Sequence, residues 1–317
     1  MHVGMAEIFL ERLELEEANQ HLQKAQELGE YAGTPQFPYR WRVATARVRA
    51  VEGDLDDALE LIVAAEHFYV TDFFPNVRPV AAVKARLWIA NSQLREAFGR
   101  ARQAGLSVDN DLSHLRGYEH VTLARLLLAR ATADRTGASV RDALVLLGRL
   151  LQDALAGARG GSVIEILALE ALALQAHGDT TAALGSLERA LTEAEPEGPV
   201  RLFIGEGQPM ATLLKEAARR EIVPAYIDEL VAAGAGPAVR APMKHGLIEA
   251  VSERELEVLR LLGSDLSGPD IARELLVSIN TLRTHTKSIY TKLGVNNRRA
   301  AVRRAQELDL FSRSRQR

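Results

Sequence analysis

The sequence predicts an all-α protein, an α-solenoid of stacked helix pairs followed by a small module of four short helices. Three observations carry that expectation. A triplet of small and apolar residues recurs five times at intervals near 40 residues. The last quarter holds four helix signals in succession, each with its own cap. Of all residues 47% are hydrophobic but only 5% aromatic, which suits closely packed helices rich in Ala and Leu.

The repeat comes first along the chain. Ala18, Ala58, Ala97, Ala143 and Ala183 stand 40, 39, 46 and 40 residues apart. Four positions on come Leu22, Ile62, Ala101, Leu147 and Leu187. Seven positions on come Ala25, Ala65, Ala104, Leu150 and Ala190. Positions so spaced share one helix face, and small residues there let a neighbouring helix approach closely. Gly53-Asp54 and Gly178-Asp179 punctuate the turn upstream in two segments. Apolar stretches such as Tyr118–Ala133 and Val163–Ala176 supply the alternate helices. Helix pairs at this period stack into a solenoid. Pro196-Glu197-Gly198-Pro199 ends the fifth unit, and Ala211–Ala233 offers one or two closing helices interrupted at Pro224. The Gly-, Pro- and Ala-rich run Gly234–Gly246 reads as a linker. The expected division is a repeat body over 1–233, a linker over 234–250 and a terminal module over 251–317.

In the terminal module, Ser252 and Glu255 form an S-x-x-E capping box ahead of Leu256, Leu259 and Leu262. Ser267 and Asp270 repeat the device, with Pro269 tolerated in the first turn before Ile271, Ala272 and Leu275. Ser278 caps a third helix, which Gly294 ends in the left-handed position after Leu293. Asn297 caps a fourth, with Ala301, Val302, Ala305 and Leu308 as its inner face. Helices this short do not hold alone in water, so the four must share one core.

The third helix separates into two faces. Leu282, Thr286, Ile289 and Leu293 fall in one narrow sector, and Asn280, Arg283, Thr284, Lys287 and Thr291 lie roughly opposite. The outer stripe holds donors and small residues and no acid. Arg283 and Lys287 are one turn apart with Thr284 between them, which suits reading a major groove. Ser278, Asn280 and Thr281 crowd the helix N-terminus, where free N–H groups and the dipole favour a phosphate. Charge agrees. From Ser252 to Arg317 there are 13 Lys and Arg against 8 Asp and Glu, a net of +5. The whole chain carries −3, so residues 1–251 carry −8. An acidic body with a basic terminal module fits a chain of which one end meets nucleic acid.

The segment from Val251 to Phe311 resembles the LuxR-type helix-turn-helix. That family's ordered motifs S-x-R-E-x-E-V-L, I-A-x-x-L, S-x-x-T-[VL]-x-x-H and K-L-G-V stand here as Ser252–Leu259, Ile271–Leu275, Ser278–His285 and Lys292–Val295. The resemblance implies that the third helix enters the major groove of double-stranded DNA and that the protein is a homodimer on DNA, pairing through the fourth helix. It makes Arg283, Thr284 and Lys287 base-reading candidates, with Ser278, Asn280, Thr281, Tyr290 and Lys292 as phosphate contacts. Two positions depart from the family. Asp265 stands where Gly is usual before the second helix, and Gly268-Pro269 replaces Asn-Lys at its start, which removes one basic phosphate contact. The bland readings are a solvated helix face for Arg283 and Lys287, core packing for Tyr290, packing or a phosphate hydrogen bond for His285, and a frayed tail for Arg313, Arg315 and Arg317.

The repeats resemble degenerate tetratricopeptide-like units, with longer spacing than is usual for them. A solenoid joined to this module is similar to the C-terminal part of the large ATP-binding LuxR regulators, the family of the maltose-regulon activator. Val200–Met210, VRLFIGEGQPM, shares that resemblance. It implies that the repeat domain binds a small-molecule inducer or a protein partner. No G-x-x-x-x-G-K-[ST] occurs, and Gly205-x-Gly207 lacks the spacing of a phosphate loop. No cofactor is expected, and the resemblance leaves open a piece of a longer regulator or a short relative.

A second reading is a repeat scaffold for a protein partner with weak or secondary DNA contact; a lack of salt-dependent DNA affinity in the C-terminal module would favour it. An enzyme is disfavoured, because no nucleophile elbow or H-E-x-x-H occurs and the eight His residues are scattered. With no cysteine there is no disulfide framework and no Cys-based metal site. No run of 18 apolar residues occurs and the N-terminus has no basic n-region, so a cytoplasmic chain with no membrane partner is expected.

Overall fold

The computed structural model describes residues 1–32, 35–69, 76–131, 137–234, 253–264, 266–275, 277–293, 295 and 297–307. Among these there is no strand, and no helix is long and apolar enough to cross a membrane. The chain divides into two compact units, one of Met1–Glu52 with Asp57–Val239 and the other of Arg240–Arg317 with the short stretch Gly53–Asp56.

Ten helices of the first unit follow one another as five pairs: α1 (His2–Glu11) and α2 (Leu15–Ala32), α3 (Phe37–Val51) and α4 (Leu55–Glu66), α5 (Val80–Ala90) and α6 (Leu94–Gln103), α7 (Gly117–Ala131) and α8 (Ala138–Ala156), α9 (Gly160–His177) and α10 (Thr180–Ala194). The repeated triplets all fall on the second helix of a pair. Ala18, Ala58, Ala97, Ala143 and Ala183 are buried, as are the apolar residues four positions on. Of the third set only Ala104 is half-exposed, because α6 ends at Gln103 and Ala104 is its cap. The small side chains sit where helices touch, which is what a closely packed solenoid needs. At the α9–α10 corner Gly178 closes α9 in the left-handed conformation (φ 96°), and the Asp179 carboxylate accepts the Ala182 N–H at 2.9 Å.

Three helices close the unit: α11 (Arg201–Ile204), α12 (Gln208–Arg219) and α13 (Pro224–Gly234). The region expected as one or two closing helices is thus two, α13 beginning at Pro224, where a missing N–H goes unneeded. Phe203, Met210, Leu213, Leu214, Ile227 and Leu230 continue the core that starts at α6. The expected linker lies, apart from Gly234, outside the described residues.

The first helices of the pairs share a second pattern. Glu7, Arg47, Arg86, Arg125, Glu165 and Glu206 follow at spacings of 40, 39, 39, 40 and 41 residues. One lies on each of α1, α3, α5, α7 and α9, and the sixth follows α11. Arg47 pairs with Glu7 at 2.9 Å, Arg86 with Glu165 at 2.8 Å, and Arg125 with both Glu165 and Glu206. Packing of α1 on α3, α5 on α7 and α7 on α9 brings these positions together. Helix α1 also meets α11, where Arg201 makes a bidentate pair with Glu11, each N–H to oxygen distance 2.9 Å.

Candidate nucleic-acid interface

The second unit contains α14 (Glu253–Leu262), α15 (Gly268–Glu274), α16 (Ile279–Leu293) and α17 (Arg298–Glu307). All pack around one core of Val258, Leu259, Leu262, Ile271, Ala272, Leu282, Ile289, Leu293, Ala301 and Ala305. The expected inner face of α16 is present. Leu282, Ile289 and Leu293 are buried, and half-buried Thr286 donates its hydroxyl to the Leu282 carbonyl. On α17, Ala301 and Ala305 are buried and Val302 packs against them; Leu308 lies outside the described residues.

The caps differ in detail. Ser278 Oγ accepts the Thr281 N–H at 3.0 Å and lies 2.8 Å from the Thr281 hydroxyl, so the two form one exposed polar knot at the start of α16. Asn297 Oδ1 accepts the Ala300 N–H at 2.7 Å at the start of α17. Ser267 precedes α15, but its side chain caps no backbone N–H; its hydroxyl donates to the Asp270 carboxylate instead. Pro269 offers no N–H in that first turn, which removes one of the donors a cap would satisfy. That hydroxyl, with Arg273 2.9 Å away, holds the Asp270 carboxyl below its usual range. Ser252, Asp265 and Gly294 lie outside the described residues; the Val295 N–H returns to the Tyr290 carbonyl at 2.9 Å and closes α16.

Opposite the buried stripe, Thr284 and Lys287 are exposed. Asn280, Arg283 and Thr291 fall within α16, and their side chains lie outside the described residues. Neither Asp nor Glu occurs in α16. His285 is half-buried on the flank. Tyr290 is half-buried against the core, and burial pushes its phenol up to about 12. Lys292 is engaged within the unit, its ammonium 2.9 Å from a carboxylate oxygen of buried Glu255. The other oxygen accepts the Ser288 hydroxyl at 2.6 Å. The structure therefore brings Thr281, Thr284 and Lys287 onto exposed positions of α16, with exposed Ser278 just before its start, and turns Lys292 and Tyr290 towards α14 and the core.

Two arginines that the sequence reading did not single out tie the module together. Arg254 on α14 donates to the Leu275 carbonyl after α15 at 2.7 Å. Arg298 donates to the carbonyls of Leu262 (2.7 Å), Leu266 (2.8 Å), Ser264 (2.5 Å) and Leu261 (3.3 Å). A usable signal did exist, since a helix C-terminus and a turn leave carbonyls that need donors.

Comparison with known proteins agrees with this architecture. Residues 1–220 match the family described as MalT-like TPR region, and residues 249–305 match bacterial regulatory proteins, luxR family. The HTH-type transcriptional regulator MalT of Yersinia pestis (strain Pestoides F) is 30% identical over 147 residues, covering 39% of this chain and 16% of that protein. MalT of Klebsiella pneumoniae (strain 342) is 32% identical over 168 residues, covering 45% of this chain and 18% of that protein. The match thus spans less than a fifth of the length of these relatives. No solved structure matches.

Proposed function

The chain belongs to the LuxR-type regulators with a MalT-like TPR region, and from that premise we propose that it is a DNA-binding transcriptional regulator whose α16 reads the major groove. Residues 251–317 are the DNA-binding module, 234–250 a linker and 1–233 the body that senses an inducer or docks a protein partner. One observation carries the reading. A helix with a buried apolar stripe holds Thr284 and Lys287 exposed on its other side and contains no acid. A phosphate-lined groove attracts such a face and admits one helix.

Arg283, Thr284 and Lys287 read base edges, and Ser278, Asn280 and Thr281 approach a phosphate at the helix N-terminus. Lys292 and Tyr290 reach the backbone only by giving up part of their present packing. A homodimer pairing through α17 sets two copies of α16 about one DNA turn apart on a pseudo-palindromic site. The test is in-vitro selection of bound DNA with the full chain, followed by Arg283→Ala and Lys287→Ala on the selected site. Each substitution is expected to weaken specific binding by about 1–3 kcal/mol and to relax the preference at one base position. Unchanged specific affinity in both variants removes the groove-reading assignment.

A further inference from the structure

We infer that Arg298 is a positioning residue for DNA binding, acting through the α14–α15 connection and never touching the DNA; this rests on the reading above. Arg298 stands in the most basic stretch of the module, beside Arg299, Arg303 and Arg304, where charge alone would class it as a phosphate contact. Its geometry says otherwise. A guanidinium has five N–H donors in a planar fork. In Arg298, Nε donates to Leu262, Nη1 to Leu266, and Nη2 to both Ser264 and Leu261. Four of the five donors are thus given to backbone carbonyls of a single segment. With one donor left over, the side chain cannot grip a phosphate with two parallel N–H bonds without releasing at least one of them.

The carbonyls it serves explain what it does. Leu261 and Leu262 end α14 and face the general shortage of partners at a helix C-terminus. Ser264 and Leu266 belong to the connection that sets where α15 begins. Helix α15 packs on α16, so the connection fixes the angle at which the recognition helix and its scaffold meet the duplex. The connection contains Asp265 and leads into Gly268-Pro269, whose proline has no N–H to give.

The experiment is Arg298→Gln and Arg298→Lys in the full chain, with Lys287→Ala as a direct-contact control. Affinity for the selected DNA site is measured across a salt series, and amide hydrogen exchange is followed at Ile271, Ala272 and Leu275 without DNA. Arg298→Gln should weaken binding at least about tenfold at every salt concentration, the scale of one lost charge-assisted hydrogen bond. The slope of log affinity against log salt should stay at the wild-type value, and exchange in α15 should quicken. Arg298→Lys, with three donors on a single nitrogen, should recover only part of both. A slope reduced by about 0.9, the value of one phosphate contact, with α15 exchange unchanged would overturn the inference. So would unchanged affinity together with unchanged exchange. If the wild-type chain itself shows no salt-dependent DNA affinity, the DNA-reading function fails, and the exchange arm alone decides whether Arg298 holds α15.

Discussion

At the scale of single residues, the turns inside four of the five helix pairs share one conformational requirement that the chain meets unevenly. Leu13 (φ 59°), Gly53 (φ 90°), Ser92 (φ 59°) and Gly178 (φ 96°) are all left-handed, and each stands five residues before the first alanine of its triplet. A residue with a Cβ in that conformation costs about 1–2 kcal/mol, whereas glycine adopts it freely. Ser92 is exposed and buries nothing that its loss would forfeit. Ser92→Gly is therefore expected to stabilise the fold by about 0.5–1 kcal/mol despite the greater freedom of an unfolded glycine. At Gly178 a Cβ would meet no atom within 4 Å, so Gly178→Ala tests conformation without a clash and should destabilise by about 1 kcal/mol. Urea unfolding of both variants decides the point; a destabilised Ser92→Gly would show that the turn carries no strain. The two glycines of this position were readable in the sequence because Gly-Asp marks a helix corner. Leu13 and Ser92 were not, since neither residue type announces a positive φ.

At the scale of elements, α16 shows how far periodicity reaches. Spacing alone separates Leu282, Ile289 and Leu293 from Thr284 and Lys287, and the structure divides them the same way. Ser278 and Asn297 were legible as caps for the same local reason. Lys287 and Lys292 look alike in the sequence, five residues apart on one basic helix, yet Lys292 is held by Glu255, 37 residues away on α14. No one-helix pattern contains that partnership. It follows from which faces of α14 and α16 meet, and a buried acid between the helices requires a donor. Glu255→Ala leaves the half-buried Lys292 ammonium and the Ser288 hydroxyl without this partner. It should destabilise the second unit by about 3 kcal/mol, whereas Lys287→Ala should change stability by no more than about 0.5 kcal/mol. Amide exchange in α14 and α16 of the full chain measures both. Equal losses would mean that the Glu255 contact adds nothing beyond an ordinary surface pair.

At the scale of the molecule, the charged positions repeating at 39 to 41 residues on the first helices tie distant repeats to one another. Arg125 with Glu206 ties α7 to the residues after α11, and Arg201 with Glu11, across 190 residues, ties α11 to α1 at the other end of the repeat body. The small-residue triplets announced stacking between neighbours; these charges record which first helices converge, a fact invisible until the stack is built. Glu165 sits at the centre, bonded to both Arg86 and Arg125. Burial alone would raise its carboxyl, but the two guanidiniums outweigh that and hold it at about 2, against an ordinary 4.5. Because the folded value is the lower one, the stabilisation is complete above pH 4.5 and is lost as pH falls from there towards 2. Ionised Glu165 is thus worth about 3 kcal/mol at neutral pH. Glu165→Gln keeps the shape and removes the charge, so it should lower stability by about that amount at neutral pH. As pH falls the deficit should shrink, since protonated glutamic acid and glutamine are both neutral and nearly the same size. Comparing urea unfolding of wild type and variant from about pH 7 to about pH 3 isolates this group from the other carboxylates, which titrate alike in both proteins. A deficit that stays constant with pH would assign it to packing and not to the ion pairs.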